Sequence, residues 1–140
     1  MFAGSIKAVV GMIDNPESQS QYPYYIDFSE FSNLMIVGNQ GCGKSTFIQT
    51  ILYSMAMNYH SDDVNFYILD FSSGLLHNFM KLPHCGNVAQ VDEEDSVNRT
   101  IRYLISVIEE RNQIFKKAGV GGFWEFKKIS KEPMPLLLLV

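Results

Sequence analysis

Cysteine is scarce in this chain: Cys42 and Cys85 are the two among 140 residues. Two cysteines do not make the disulfide framework on which small secreted domains depend. Cys42 also falls inside a glycine-rich loop, which suggests a reducing compartment. Long apolar runs are missing as well. Ala8 to Ile13 is too short for a signal peptide and ends at Asp14. No stretch approaches the roughly 20 apolar residues that span a bilayer, so no membrane contact is expected from these residues. Positive charge is in deficit, with 11 Lys and Arg against 15 Asp and Glu and a net charge of −4. No global basic field is there to hold nucleic acid.

The deficit is uneven. From His60 to Phe115 nine acids face four bases, whereas from Lys116 to Val140 five lysines face Glu125 and Glu132. That tail reads either as solvated lysines on an exposed face or as a contact for an acidic partner.

Against these absences, 46% of the residues are apolar, enough for a real core in a single domain of this length. The most informative stretch is Gly38-Asn39-Gln40-Gly41-Cys42-Gly43-Lys44-Ser45-Thr46. It matches G-x-x-x-x-G-K-[ST], the phosphate-binding P-loop. With glycine near 7% of residues, a chance match in 140 positions has odds of roughly one in a few hundred. Glycines let the turn aim several N–H groups at one point, where they cradle phosphates. Lys44 is expected to reach the β- and γ-phosphate oxygens, and the Ser45 hydroxyl to sit on Mg²⁺. The following helix adds its positive end. The context agrees: Leu34-Met35-Ile36-Val37 reads as a buried strand before the loop. After it Phe47, Ile48, Ile51, Leu52, Met55, Ala56 and Tyr59 recur at helical spacing.

Elsewhere, Ser5–Ile13 and Tyr24–Phe28 read as strands around the turn signal Asp14-Asn15-Pro16-Glu17. Tyr22, Tyr24 and Tyr25 pack beneath an edge strand or, alternatively, stack on an adenine. Val64–Asp70 reads as a buried strand with Asp70 at its C-terminal end, the edge where ligands bind in open α/β sheets. Asp70 is either a loop cap or a residue that approaches the nucleotide or its water. A short helix follows at Leu75–Met80, stopped by Pro83, and Gly86–Val91 reads as a third strand. His77, His84 and Cys85 fit no common zinc spacing. Asp92-Glu93-Glu94-Asp95 opens the longest helix, with Asp92 or Asp95 as its cap. Val97, Ile101, Leu104, Ile105, Ile108 and Phe115 form its expected buried stripe, and Gly119 its end. Phe123–Phe126 reads as a short amphipathic helix. Leu136–Val140 reads as the aliphatic strand that precedes a Walker B acid, but no acid follows within the 140 residues.

The order of these motifs resembles the FtsK/SpoIIIE-type P-loop ATPases, and among them the repeated ATPase modules of type VII secretion motors. The pieces that carry the resemblance begin with Gly11–Glu17, then the P-loop with Phe47-Ile48-Gln49-Thr50. Phe66–Phe71, Leu82–Gly86, Glu109-Glu110-Arg111 and Leu136–Val140 complete them. The sequence departs from the family where Ser72, Ser73 and one Gly74 stand in place of several glycines. The resemblance implies an α/β, RecA-like P-loop sheet with helices on both faces, cut short at the Walker B strand. Residues 1–140 would form one domain, with leading strands in 1–32 and a nucleotide-binding core in 33–140. It implies ATP and Mg²⁺ as ligands and Lys44 as the phosphate-stabilising residue. It also implies neighbouring ATPase modules in a ring, with a hexamer as the family expectation, and secreted protein substrates. The location would be the cytoplasmic part of a membrane-associated complex. Two alternatives remain open: a DNA translocase of the FtsK group, and a nucleotide-binding interaction module that does not hydrolyse. The resemblance further implies sheet strands after the missing acid, one of them beside the P-loop strand.

Overall fold

A computed structural model describes residues 5–72 and 74–140. Ser73, read above as part of the link after Asp70, lies outside the described residues, as do residues 1–4. Contacts divide the chain into two compact units, one up to Tyr59 and one from His60 to Val140.

The first unit is a hairpin packed on a helix. β1 (Lys7–Asn15) and β2 (Ser20–Asp27) pair antiparallel, with a register shift between Val9 and Gly11. The Asn-Pro turn signal falls at the hairpin's end, as its chemistry requires. α1 (Lys44–Asn58) lays Ile51, Leu52 and Met55 against β1, and Ala8 is fully buried. Two side chains of this helical segment also satisfy the hairpin backbone. Lys7 N–H donates to Tyr59 Oη at 2.7 Å, and Val9 N–H donates to Ser54 Oγ at 2.7 Å. The Val9 bond falls beside the β1 register shift, where a ladder loses regular partners, and the Lys7 bond at the start of the strand.

The second unit is a three-stranded parallel sheet in the order β4-β3-β5. β3 (Val64–Asp70) lies in the middle, flanked by β4 (Cys85–Gln90) and β5 (Leu136–Leu139). Val64, Phe66 and Ile68 are fully buried and Tyr67 nearly so, which is how a parallel strand covered on both faces reads. Pairing with β5 continues to the last residue, where Leu69 N–H donates to Val140 O at 2.7 Å. A 3-10 helix at Leu75–Lys81 sends Leu76 and Phe79 into the core. Gly86 is needed where β4 passes Tyr67, because a Cβ there would run into the tyrosine ring. α2 (Glu94–Ala118) is clamped to β4 by Asn87, whose Nδ2 donates to Ser96 Oγ at 3.0 Å and Thr100 Oγ1 at 2.7 Å. Val120 N–H and Gly119 N–H close its C-terminal end on Phe115 O and Lys116 O. α3 (Phe123–Ile129) meets α2 through the rings of Phe126 and Phe115, 5.6 Å apart.

The class is α/β, as expected, but three local expectations change. Leu34–Val37 is not a buried strand: it enters no sheet among the described residues, and Met35 and Val37 are 87% and 82% exposed. An apolar run becomes a strand only where a partner takes up its backbone groups. The buried side of α2 is not the six-residue stripe but a narrower one at Thr100 and Leu104, set by the Asn87 clamp. Ile101, Ile105 and Ile108 face outward. The α2 N-cap is Glu93 rather than Asp92 or Asp95, and its carboxylate turns back to accept from Gln90 N–H at 2.9 Å.

Candidate phosphate-binding site

The loop from Gly38 to Gly43 is built by its own turn. Cys42 N–H donates to Asn39 O at 3.3 Å, and α1 begins immediately afterwards with Phe47 N–H bonded to Gly43 O at 2.9 Å. Gly41 and Gly43 take φ values of +79° and +91°, which an L side chain rarely adopts. These two left-handed residues stand directly before the first N–H groups of α1. That helix end carries no side-chain cap and no acid in its first turn. By contrast, α2 and α3 each begin with an acid that complements the dipole. A 15-residue helix whose N–H groups and dipole are left unanswered suits a phosphate group.

Lys44 supplies the cation. Its Nζ donates to Gly38 O and Asn39 O, both at 2.8 Å, so the ammonium is held across the mouth of the loop. Thr46 O accepts from Thr50 Oγ1 at 2.9 Å on the next turn. The recess beside the loop measures about 460 Å³ and is lined by Ile36, Val37, Cys42, Lys44, Phe47 and Thr50, among others. Of these, Ile36, Val37, Phe47 and Thr50 went unassigned by the motif. The signal that could have found Thr50 is its place one helical turn after Thr46. Cys42 is exposed on the loop. The loop's conformation, the uncapped helix and the Lys44 cation together fit the triphosphate of a nucleotide. The Ser45 hydroxyl, in the first turn of α1, is the donor of the type that Mg²⁺ takes.

Asp70 is built into a different task in the second unit. Its Oδ1 accepts from Ser72 N–H and Ser72 Oγ, each at 3.1 Å, and its Oδ2 from Leu76 N–H at 3.1 Å. This is the geometry of a cap that folds the loop after β3 back onto the 3-10 helix. Burial pushes the carboxyl up. The hydrogen bonds from Leu76 and Ser72 outweigh it and hold the group below its ordinary value of 3.8. The ionised form is thus favoured in the fold. Its contribution to stability is present above pH 3.8 and is lost as pH falls through that value toward the folded one. Thermal melts between pH 7 and 3 are expected to show a steeper acid-side loss of stability in the parent than in Asp70→Asn. Superimposable profiles would refute the capping role.

A larger cavity, about 660 Å³, opens between β4 and α2 and is lined by Tyr67, Asn87, Glu93, Arg99 and Tyr103 among others. It is lined by side chains of β3, β4 and α2 and includes no glycine loop at a helix start, unlike the smaller recess.

With the loop geometry established, comparison with known proteins decides the family. The FtsK/SpoIIIE family model matches residues 8–134. The chain belongs to the FtsK/SpoIIIE family. Among its relatives, the ESX secretion system protein EccC of Thermomonospora curvata is 33% identical over 127 residues, covering 90% of this chain and 10% of that protein. The ESX-5 secretion system protein EccC5 of Mycobacterium marinum is 37% identical over 120 residues, covering 85% of this chain and 9% of that protein. This FtsK/SpoIIIE chain therefore spans about a tenth of the length of the curated relatives it matches. Among solved structures, EssC ATPases 2 and 3 from Geobacillus thermodenitrificans superpose with a TM-score of 0.85 at 30% identity. The match covers 99% of this chain and 27% of that one. T. curvata EccC ATPases 2 and 3, solved in complex with a signal sequence peptide, give the same TM-score and identity, with 99% and 26% covered. Membership of this ATPase family implies nucleotide binding. Another similar structure is the cytoplasmic domain of EssC. Among the described residues, no helix is long and apolar enough to cross a membrane.

Proposed function

We propose that residues 1–140 are one ATPase-domain piece that binds Mg·ATP within a motor for type VII protein secretion. The observation that carries this reading is the uncapped start of α1, set behind two left-handed glycines with Lys44 held at its mouth. Backbone N–H groups from Gly41 to Ser45 take phosphate oxygens, with Gly38, Asn39, Gln40, Cys42 and Thr46 completing the loop. Lys44 stabilises charge on the γ-phosphoryl group, and Ser45 is the residue that would hold Mg²⁺. When bound, that ion would neutralise charge on the β- and γ-oxygens. The rest of the chain's contribution is positioning.

No acid follows β5 within the 140 residues. In such ATPases a carboxylate after an aliphatic strand of this kind completes the Mg²⁺ shell, so hydrolysis is a property to assay in the whole protein. The acidic charge balance gives a DNA translocase less support. In the motor reading, the partners are neighbouring ATPase modules or subunits and secreted proteins recognised by a signal sequence. The setting is the cytoplasmic part of a membrane-associated complex.

Calorimetric titration tests the ligand. ATP and ADP are expected to bind, ATP more tightly with Mg²⁺ than without, and adenosine to bind at least tenfold more weakly than either. Adenosine binding as tightly as ATP would show that phosphate is not what the site holds.

A further inference from the structure

α2 carries an apolar stripe that the fold leaves uncovered. Ile101, Ile105 and Ile108 are 40%, 51% and 55% exposed. Their i, i+4, i+7 spacing sets them on one face of the helix. The helix is held from another side, through Thr100 and Leu104. Isolated surface isoleucines need no explanation, but three in line on one helix face do.

Charge frames this stripe in a pattern that repeats when reversed. Glu94 stands eleven residues before Ile105, and Lys116 eleven after it. At about 100° per residue, both fall within about 20° of Ile105 around the helix. Arg102 and Glu109 share one flank of the stripe, within about 20° of each other. The N-terminal end of α2 is acidic through Asp92–Asp95, and its last turn is basic through Lys116 and Lys117. Among the described residues, none of Glu94, Arg102, Glu109 and Lys116 is in an ion pair. A helix face that is acidic at one end, basic at the other and apolar in the middle is complementary to itself turned end over end.

We propose that this face binds a second copy of the chain, α2 packing antiparallel on α2 about a two-fold axis at Ile105. In that register Ile105 meets Ile105, and Ile101 meets Ile108. Arg102 of one copy faces Glu109 of the other, and Glu94 faces Lys116. Every contact off the axis is made twice, as an isologous interface requires. The two helix dipoles also run opposed. A parallel register would set acid on acid. A single helix face is small beside the roughly 800 Å² per partner of a standard interface, so the dimer is weak, with a Kd of about 10 to 100 μM. The proposal is independent of the nucleotide site.

Sedimentation of the 140-residue chain from about 5 to 500 μM reads the association directly. Arg102→Glu is expected to weaken the dimer at least tenfold, and adding Glu109→Arg to restore it. A second experiment does not depend on affinity. In a Cys42→Ser background, Ile105→Cys is expected to form a disulfide-linked dimer under mild oxidation. Ser106→Cys, exposed but about 100° round the helix, is expected to remain monomeric. A chain monomeric throughout the range would overturn the proposal and leave the stripe to some other segment or partner. So would a dimer indifferent to Arg102→Glu, or equal cross-linking at both positions.

Discussion

Lys44→Ala lowers the affinity of the chain for Mg·ATP by roughly 10- to 100-fold and leaves its melting temperature nearly unchanged. The first half follows from the chemistry of the loop. A charge-assisted hydrogen bond to a phosphate oxygen contributes about 1.5–3 kcal/mol, and 1.4 kcal/mol is a factor of ten in affinity. The second half follows from exposure. The two bonds that Lys44 makes in the structure, to Gly38 O and Asn39 O, are exposed. Water replaces the ammonium at both carbonyls when it is removed, so no buried group is orphaned. Fluorescence titration with a labelled ATP, paired with a thermal melt, separates the two effects. Unchanged affinity would remove Lys44 from the binding role, and a large loss of melting temperature would make it a structural residue. Ser45→Ala is the companion: it should reduce the gain in affinity that Mg²⁺ confers while leaving Mg²⁺-free binding close to the parent's.

Phe66→Ala is expected to unfold the second unit or bring it to the edge of unfolding at 25 °C. Phe66 lies in the middle strand of its sheet and is 0% exposed. It stacks on His84, with ring centroids 5.8 Å apart. Truncating a buried phenylalanine costs about 3–5 kcal/mol, the lost transfer energy plus the cavity left behind. Whole domains are stable by only about 5–15 kcal/mol. Urea titration followed by far-ultraviolet circular dichroism would show the loss, and a change under 1 kcal/mol would mean that the core is not centred on β3. Phe66→Leu, which keeps most of the volume, should recover much of the stability.

What the sequence made legible and what it did not divide along physical lines. The turn from Gly38 to Gly43 and the helix start at Lys44 were readable because their requirements are local: glycines that can take positive φ, followed directly by residues at helical spacing. Turn signals and breakers were similarly local, and the hairpin, the stop at Pro83 and the end of α2 at Gly119 fell where they pointed. Leu34–Val37 was misread because apolar, β-branched composition describes what a strand packs against, whereas a strand also needs a neighbour for its backbone. The outward face of α2 was misread for a related reason. Spacing identified Ile101, Leu104, Ile105 and Ile108 as one broad stripe. Which part of it lies inward is decided by Asn87, a residue on another element that reaches Ser96 and Thr100. Asp70 sat between two readings because its position at a strand end is common to ligand residues and caps. Only the donors from Ser72 and Leu76 reveal what its oxygens hold.

The order in which the second sheet acquires its strands has a consequence for the chain's life before it is folded. β3 pairs with β4 soon after it is made, but its other neighbour arrives much later in the sequence, with Leu136 paired to Val64. Closing so long a span is slow, because the entropy of the intervening chain is lost before the new contacts form. During synthesis β3 therefore waits with one backbone edge unpaired while α2 and α3 are still being translated. The first unit has no such delay, since its hairpin and helix are close in sequence. The chain should thus emerge with its Gly38–Gly43 loop and α1 already assembled and its second half still seeking β5. Chaperones and proteases would find their targets in that interval.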